Sequence, residues 1–266
     1  MGKIELDNLL NTRDLGGLKT IHGYKIKKKR IIRSGRLFEA SNFDIETLTN
    51  DYDLKTIIDL RSLKEVDTNP DPVINGVIYN HIPIFEGSLE GISREKEKKI
   101  NETERLIKSL SRAGNVYNNM KKMYPAIVSE SYAKNSFNSI FKVLINNTEG
   151  SVLYHCSAGK DRVGVLTLLL LSTLGVETDD IINDYLQTNK YYEELIQEQM
   201  EFARSINIDE DIVNQIPYAQ GVQREYLDEV FTYINNKYDT IDNYIRYAVG
   251  INDEDILKLR SNYLEK

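Results

Sequence analysis

The apolar and polar positions of this chain fall into two regimes. As far as about Ile84 the apolar runs are short, rich in isoleucine and leucine, and separated by turn formers. Asn11 to Gly17 (NTRDLGG) reads as a turn, Arg30 to Ser34 (RIIRS) as a strand and Phe43 to Asn50 as a short helix. Leu54 to Leu60 (LKTIIDL) is apolar and β-branched, which suits a buried strand. Val77 to Ile84 (VIYNHIPI) alternates as a further strand, stopped at Pro83. Beyond that point the spacing turns helical. Glu90 to Ser111 is dominated by Lys, Glu and Arg, a pattern that fits an exposed helical lid and equally a solvated helix with no further role. Helical stretches are expected over Val116 to Ser129 and Tyr132 to Ile145. Gly150 and Ser151 introduce a short apolar strand, Val152 to His155 (VLYH), followed by a loop and an apolar helix, Val163 to Leu174, ended by Gly175. Asp179 to Gln187, Tyr191 to Ser205, Glu225 to Lys237 and Asn252 to Leu264 all carry apolar residues at helical spacing. Strands early and centrally, with helices between and after, predict an α/β fold with a central, mainly parallel sheet. No repeat, linker or composition break divides the chain, so residues 1 to 266 read as one domain.

Composition narrows the function classes. Hydrophobic residues make up 41% and charged residues 28%, an ordinary globular mix, and the net charge is -7. That charge predicts neither general nucleic-acid binding nor attraction to an anionic membrane, and an acidic protein that handles anions must concentrate positive charge locally. The longest apolar run, Val163 to Leu171, is far short of the roughly 18 residues a membrane span needs. The start, MGKIELDNLL, lacks the apolar stretch and cleavage site of a signal peptide, so the reading is cytoplasmic, or secreted if a leader has been trimmed. Oligomeric state is not readable. The single cysteine, Cys156, cannot form an internal disulfide; it is either a small buried hydrophobe or a reactive thiol.

The segment around that cysteine decides between the two. Val152 to Gly164 (VLYHCSAGKDRVG) runs strand, loop, helix, with Cys156 ending the strand and Arg162 opening the helix. A loop of this length can turn its backbone N–H groups inward as a concave anion site, and the following helix N-terminus adds positive partial charge. Gly159 allows the turn, and Arg162 offers a planar fork to two phosphate oxygens. Ser157, Ala158, Gly159, Lys160, Asp161 and Arg162 would then line the phosphate site. The same field favours the Cys156 thiolate, which is the nucleophilic form. Attack on phosphorus would give a phosphocysteine for water to hydrolyse, with no metal or cofactor required and no clustered set of ligands in the sequence to hold one. A sulfur carrier or a redox thiol could also use a cysteine loop, although an Arg at the helix start fits a phosphate oxyanion better than either. A redox thiol would lack an internal resolving cysteine.

The loop HCSAGKDRVG resembles that of the bacterial tyrosine-protein phosphatase family, which usually reads HCxAGKDRTG. NTRDLGG at Asn11 to Gly17, RSGRL at Arg33 to Leu37, IIDLRS at Ile57 to Ser62 with Glu65, the Gly175–Val176 pair, DYL at Asp184 to Leu186 and the ending YIRYAVGINDEDILKLR are also similar to it. The resemblance spans about Asn11 to Leu264 and implies a cysteine-phosphatase-like fold with helices around the sheet. It implies a phosphotyrosine protein as substrate, with phosphoinositides as the alternative. Lys160 beside the catalytic Arg resembles lipid phosphatases of the wider superfamily, where an added cation suits a polyphosphorylated headgroup; a solvated loop lysine is the plain alternative.

Two carboxylates compete for the acid that protonates the leaving oxygen. Asp161 would be repelled by a phosphate dianion unless it is protonated, faces away, or serves as that acid. Asp59 lies near the C-terminal end of a strand, the edge where sites collect in open α/β sheets, or serves only a turn. The choice falls slightly on Asp161. His155 is expected to orient the loop, and Arg13 and Asp14 to brace one another. Where the resembled family has Thr or Ser after the Arg, this chain has Val163. A hydroxyl there can hydrogen-bond the cysteine sulfur, so its absence predicts slower turnover. A phospho-binding pseudoenzyme is therefore the reading from another class.

Overall fold

The computed structural model describes residues 2–87 and 102–266. In chain order the first elements are the strands β1 (Gly2–Lys3), β2 (Arg13–Asp14), β3 (Lys25–Ile26) and β4 (Ile31–Ser34). Helix α1 (Asn42–Glu46) continues into a wider turn over Thr47–Asp51, and then come β5 (Leu54–Asp59), α2 (Leu63–Thr68) and β6 (Ile78–His81). Helices α3 (Glu102–Ala113), α4 (Val116–Met123), α5 (Ala126–Ser129) and α6 (Ser131–Asn146) precede β7 (Ser151–His155). After β7 the chain forms α7 (Asp161–Leu174), α8 (Thr178–Ser205), α9 (Glu210–Val213), α10 (Ile216–Gln220), α11 (Arg224–Tyr238), α12 (Ile241–Asn243), α13 (Asp253–Tyr263) and β8 (Leu264–Glu265).

The sheet has the order β1-β2-β4-β7-β5-β6; β4, β7, β5 and β6 run parallel, while β1 and β2 add on antiparallel. The α/β expectation and its mainly parallel sheet are thus realised. The central strands are apolar at successive positions because both faces are covered. Ile32, Ile57 and Leu153 point to one face, with Leu9, Leu37 and Leu48. Ile31, Ile58, Val152 and Tyr154 point to the other, against α6 and α7. Helix α7 is buried almost all round, as its uninterrupted apolar sequence requires. Gly175, at φ 86°, ends it in the left-handed conformation. None of the described helices is long and apolar enough to cross a membrane.

Several boundaries differ from the sequence reading: Arg13 and Asp14, inside the turn expected over Asn11 to Gly17, form β2 because they pair with β1 and β4, and the strand expected over Val77 to Ile84 is confined to Ile78–His81. The helix expected over Val116 to Ser129 is broken at Tyr124 and Pro125 into α4 and α5, because proline has no N–H to continue the ladder. The two helices expected over Asp179 to Gln187 and Tyr191 to Ser205 are one, α8, since Thr188 to Lys190 contain neither glycine nor proline to stop it. The charged stretch from Glu90 to Ser111 lies partly outside the described residues; its described part belongs to α3, whose Ile107 and Leu110 are buried.

Candidate active site

The loop from Cys156 to Lys160 joins β7 to α7, with Arg162 in the helix's first turn. Gly159 has φ +64°, and a Cβ there would lie 2.4 Å from the Ser34 carbonyl oxygen, so only glycine fits. The loop carbonyls are bound from outside. Asn11 Nδ2 donates to Ala158 O at 3.1 Å and to Gly159 O at 2.8 Å. Tyr192 OH donates to Ala158 O at 2.8 Å, and Arg33 Nη2 to Gly159 O at 2.8 Å. The Arg36 amide donates to Ser157 O at 3.3 Å.

Behind these donors sits a buried ionic brace. Asp184 on α8 accepts from Arg13 Nε at 2.7 Å and from Arg33 Nη1 at 2.5 Å, and its own carbonyl accepts from Arg13 Nη2 at 2.8 Å. Burial would raise the Asp184 carboxyl, but the Arg33 and Arg13 cations outweigh it and hold its pKa below the usual range. Arg13 Nη1 also donates to Asn11 Oδ1, the other end of the amide that holds the loop. The expected pairing of Arg13 with Asp14 is therefore replaced. As neighbours on a strand their side chains leave opposite faces. Asp14 instead accepts from the amides of Gly16 at 2.9 Å and Lys29 at 2.8 Å.

Cys156 and Arg162 are both buried, as are Ser157, Ala158, Lys160 and Asp161. Arg162 makes a forked pair with Glu65, Nη1 to Oε2 at 2.8 Å and Nη2 to Oε1 at 2.9 Å. Its Nη2 also donates to Ser157 Oγ at 3.1 Å, and Ser157 Oγ in turn donates to Glu65 Oε1. Arg162 Nε is buried with no hydrogen-bond partner among the described residues. Burial works to raise Glu65, but the bonds and charge of Arg162 prevail and its pKa falls to about 2. Glu65 also closes a capping box on Ser62 at the start of α2, which fixes where the carboxylate stands. In the sequence Glu65 is marked by its place after IIDLRS in the family resemblance and by the Ser62-x-x-Glu65 spacing.

Asp59 is fully buried and gripped by Arg61, Nε to Oδ1 at 3.0 Å and Nη2 to Oδ2 at 2.7 Å, with Tyr79 OH donating to Oδ2 at 2.7 Å. Burial favours its neutral form, yet His155, Arg61 and Tyr79 together hold its pKa below the carboxylate range. Asp71, which the sequence did not single out, completes this cluster: His155 Nε2 lies 2.9 Å from it and Arg61 Nη2 lies 2.9 Å. His155 Nδ1 is 3.3 Å from Cys156 O, so the imidazole ties the Cys156 backbone to the two carboxylates. Burial would depress the imidazole, but Asp59 and Asp71 raise its pKa overall. Asp59, Asp71 and His155 are metal-ligand types lying close together, but the Arg61 cation already bridges the two carboxylates.

Asp161 accepts a hydrogen bond from Tyr124 OH at 2.6 Å and stands in the first turn of α7, where a carboxylate suits the helix dipole. Lys160 is not the solvated loop lysine of the plain alternative. Its Nζ donates to Ala219 O at 2.5 Å and Gly221 O at 3.3 Å, at the C-terminal end of α10, and lies 3.8 Å from Asp161 Oδ2.

Compared with known proteins, residues 4–265 match the tyrosine phosphatase family. A Cupriavidus necator protein whose name places it among tyrosine-protein phosphatases is 29% identical over 265 residues, covering 98% of this chain and 88% of its own. A Mycobacterium tuberculosis protein named a triple specificity protein phosphatase is 24% identical over 278 residues, covering 96% of this chain and 97% of its own. A Nostoc commune protein named a tyrosine-protein phosphatase is 32% identical over 80 residues, covering 28% of this chain and 27% of its own.

Proposed function

Because the chain belongs to the tyrosine phosphatase family, we propose that it hydrolyses phosphotyrosine in protein substrates in two steps, through a phosphocysteine on Cys156. One observation carries this reading: side chains on the outside hold the Ala158 and Gly159 carbonyls outward, which leaves the loop N–H groups to an anion. The buried, unpartnered Nε of Arg162 supports it, since a phosphate oxygen is an acceptor it would take.

In the first step the Cys156 thiolate attacks phosphorus. The P–S bond forms, the P–O bond breaks, and protonated Asp161 gives its proton to the departing phenolate oxygen. In the second, a water attacks phosphorus, Asp161 takes its proton, and the P–S bond breaks to release phosphate and the thiolate. Charge on the equatorial oxygens meets the loop N–H groups and Arg162, which Glu65 holds in orientation. Asp59 is set aside as the acid because Arg61 and Tyr79 occupy both of its oxygens, whereas the hydrogen bond to Asp161 falls on Oδ1.

The protein substrate is preferred over a phosphoinositide because Lys160, the added cation a polyphosphate would need, is committed to the carbonyls of Ala219 and Gly221. The test is phosphate release from a phosphotyrosine peptide, a phosphoserine peptide and a phosphoinositide panel, with Cys156→Ser as control. Release from the tyrosine peptide that Cys156→Ser abolishes is the expected result. Faster release from the lipids would overturn the substrate, and phosphate binding without release from any substrate would favour the phospho-binding alternative.

A further inference from the structure

Asp161 is enclosed by phenols from three separate elements. Tyr124 reaches it from the junction of α4 and α5, Tyr185 stands behind Tyr124 on α8, and Tyr226 approaches from α11. Among the described residues, Lys160 and Arg162, from its own loop and helix, are the charged groups that face it. Tyr124 and Tyr185 are fully buried, and their hydroxyl oxygens are 2.5 Å apart. Each phenol has one proton. Tyr124 spends its proton on Asp161 Oδ1, at 2.6 Å, so its oxygen accepts from Tyr185. The chain of bonds therefore has one direction, from Tyr185 to Tyr124 to Asp161, and each bond polarises the next.

Both phenols are held neutral. Burial, joined by the nearby Asp161 charge, moves each well above its ordinary pKa, so neither competes with Asp161 for the acid role. Packing alone does not require the hydroxyls. The Tyr124 ring rests tilted on Tyr226, centroids 5.2 Å apart, and edge-on to Tyr185 at 6.5 Å, contacts that a phenylalanine would keep.

We propose that Tyr124, backed by Tyr185, is a positioning residue for the leaving-group proton: its hydroxyl fixes Oδ1 of Asp161, so the transferable proton sits on Oδ2, and the same bond stabilises the carboxylate once the proton has gone. The inference rests on Asp161 being the acid of the proposed mechanism. A hydrogen bond donated to a carboxyl favours its ionised form and so makes it a stronger acid.

The test compares Tyr124→Phe, Tyr185→Phe and Asp161→Asn on aryl phosphates with poor and good leaving groups, across pH. Asp161→Asn should slow poor leaving groups far more than good ones. Tyr124→Phe should slow poor leaving groups about tenfold, the scale of one lost hydrogen bond to a charged group, and leave good ones nearly unchanged. It should also move the basic limb of the pH profile to higher pH, which a purely structural defect would not do. Tyr185→Phe should act in the same direction with a smaller effect, and its basic limb decides the matter if Tyr124→Phe does not fold. Equal slowing of all leaving groups by Asp161→Asn would overturn the acid assignment and this inference with it. Selective slowing by Asp161→Asn, with unchanged profiles in both phenylalanine variants, would overturn the inference alone.

Discussion

At the scale of single residues, Val163 sets the clearest expectation for turnover. It is fully buried in the first turn of α7, directly after Arg162. A threonine there has nearly the same shape and adds a donor for the cysteine sulfur. A hydrogen bond to a charged group contributes about 1.5–3 kcal/mol, so Val163→Thr should speed phosphocysteine breakdown by about tenfold or more. Rapid-quench kinetics would read this as a burst in the parent that shrinks in the variant; unchanged turnover would sink the idea. Cys156 and Arg162 stand out in the sequence because the chemistry proposed for them depends on a short local spacing. Asp71 and Tyr124 do not, because each acts through a partner far away in the chain, and Glu65 is marked only through the resemblance and its spacing from Ser62, while its partner Arg162 lies far along the chain. Lys160 was misjudged on its plain reading for the same reason: its acceptors come from the end of α10.

At the scale of elements, what holds the loop in shape is the contact of β2, β4 and α8 through Asp184. Removing one partner of a buried ion pair leaves the other charge uncompensated and costs about 3–5 kcal/mol. Asp184→Asn would leave the Arg13 and Arg33 cations facing each other without their shared anion. Urea unfolding should show a loss of about that size, accompanied by weaker phosphate binding as Asn11 and Arg33 lose their hold on the loop. A loss below about 1 kcal/mol, the range of an exposed pair, would mean the brace does not stabilise the fold. Strands were readable because their apolar runs are continuous under cover on both faces. Helix ends were less so: the break at Pro125 has a local cause, whereas α8 runs on because Thr188 to Lys190 hold no residue that stops it, and a missing stop signal is easily overlooked.

For the whole molecule, the buried ionic groups predict a stability optimum with two flanks. Asp59, Glu65 and Asp184 have native pKa values below their ordinary ones. Their contribution is therefore complete above the unfolded values of about 3.9–4.3 and is lost as the pH falls through the native ones, about 2 for Glu65. Asp14, raised by burial, opposes this in part. His155 has the reverse sign: with its pKa raised, its contribution is complete below about 6.5 and is lost as the pH rises through the native value. Denaturant midpoints measured from acid to mildly alkaline pH should fall on both sides, and Asp71→Asn should flatten the alkaline flank. An alkaline flank unchanged in that variant would remove Asp71 from the account.

The position of β7 in the sheet has a consequence for biosynthesis. Strands β4 and β5 are complete by Asp59, yet the strand that lies between them begins only at Ser151. At about 5–20 residues per second, a ribosome leaves those two facing edges unpaired for roughly ten seconds. Unpaired edges of this kind are adhesive, so a nascent chain stalled in that interval is a target for chaperones and a seed for aggregation. The insertion that closes the sheet also delivers Cys156, the next residue after β7. The proposed nucleophile thus emerges only with the strand that completes the scaffold.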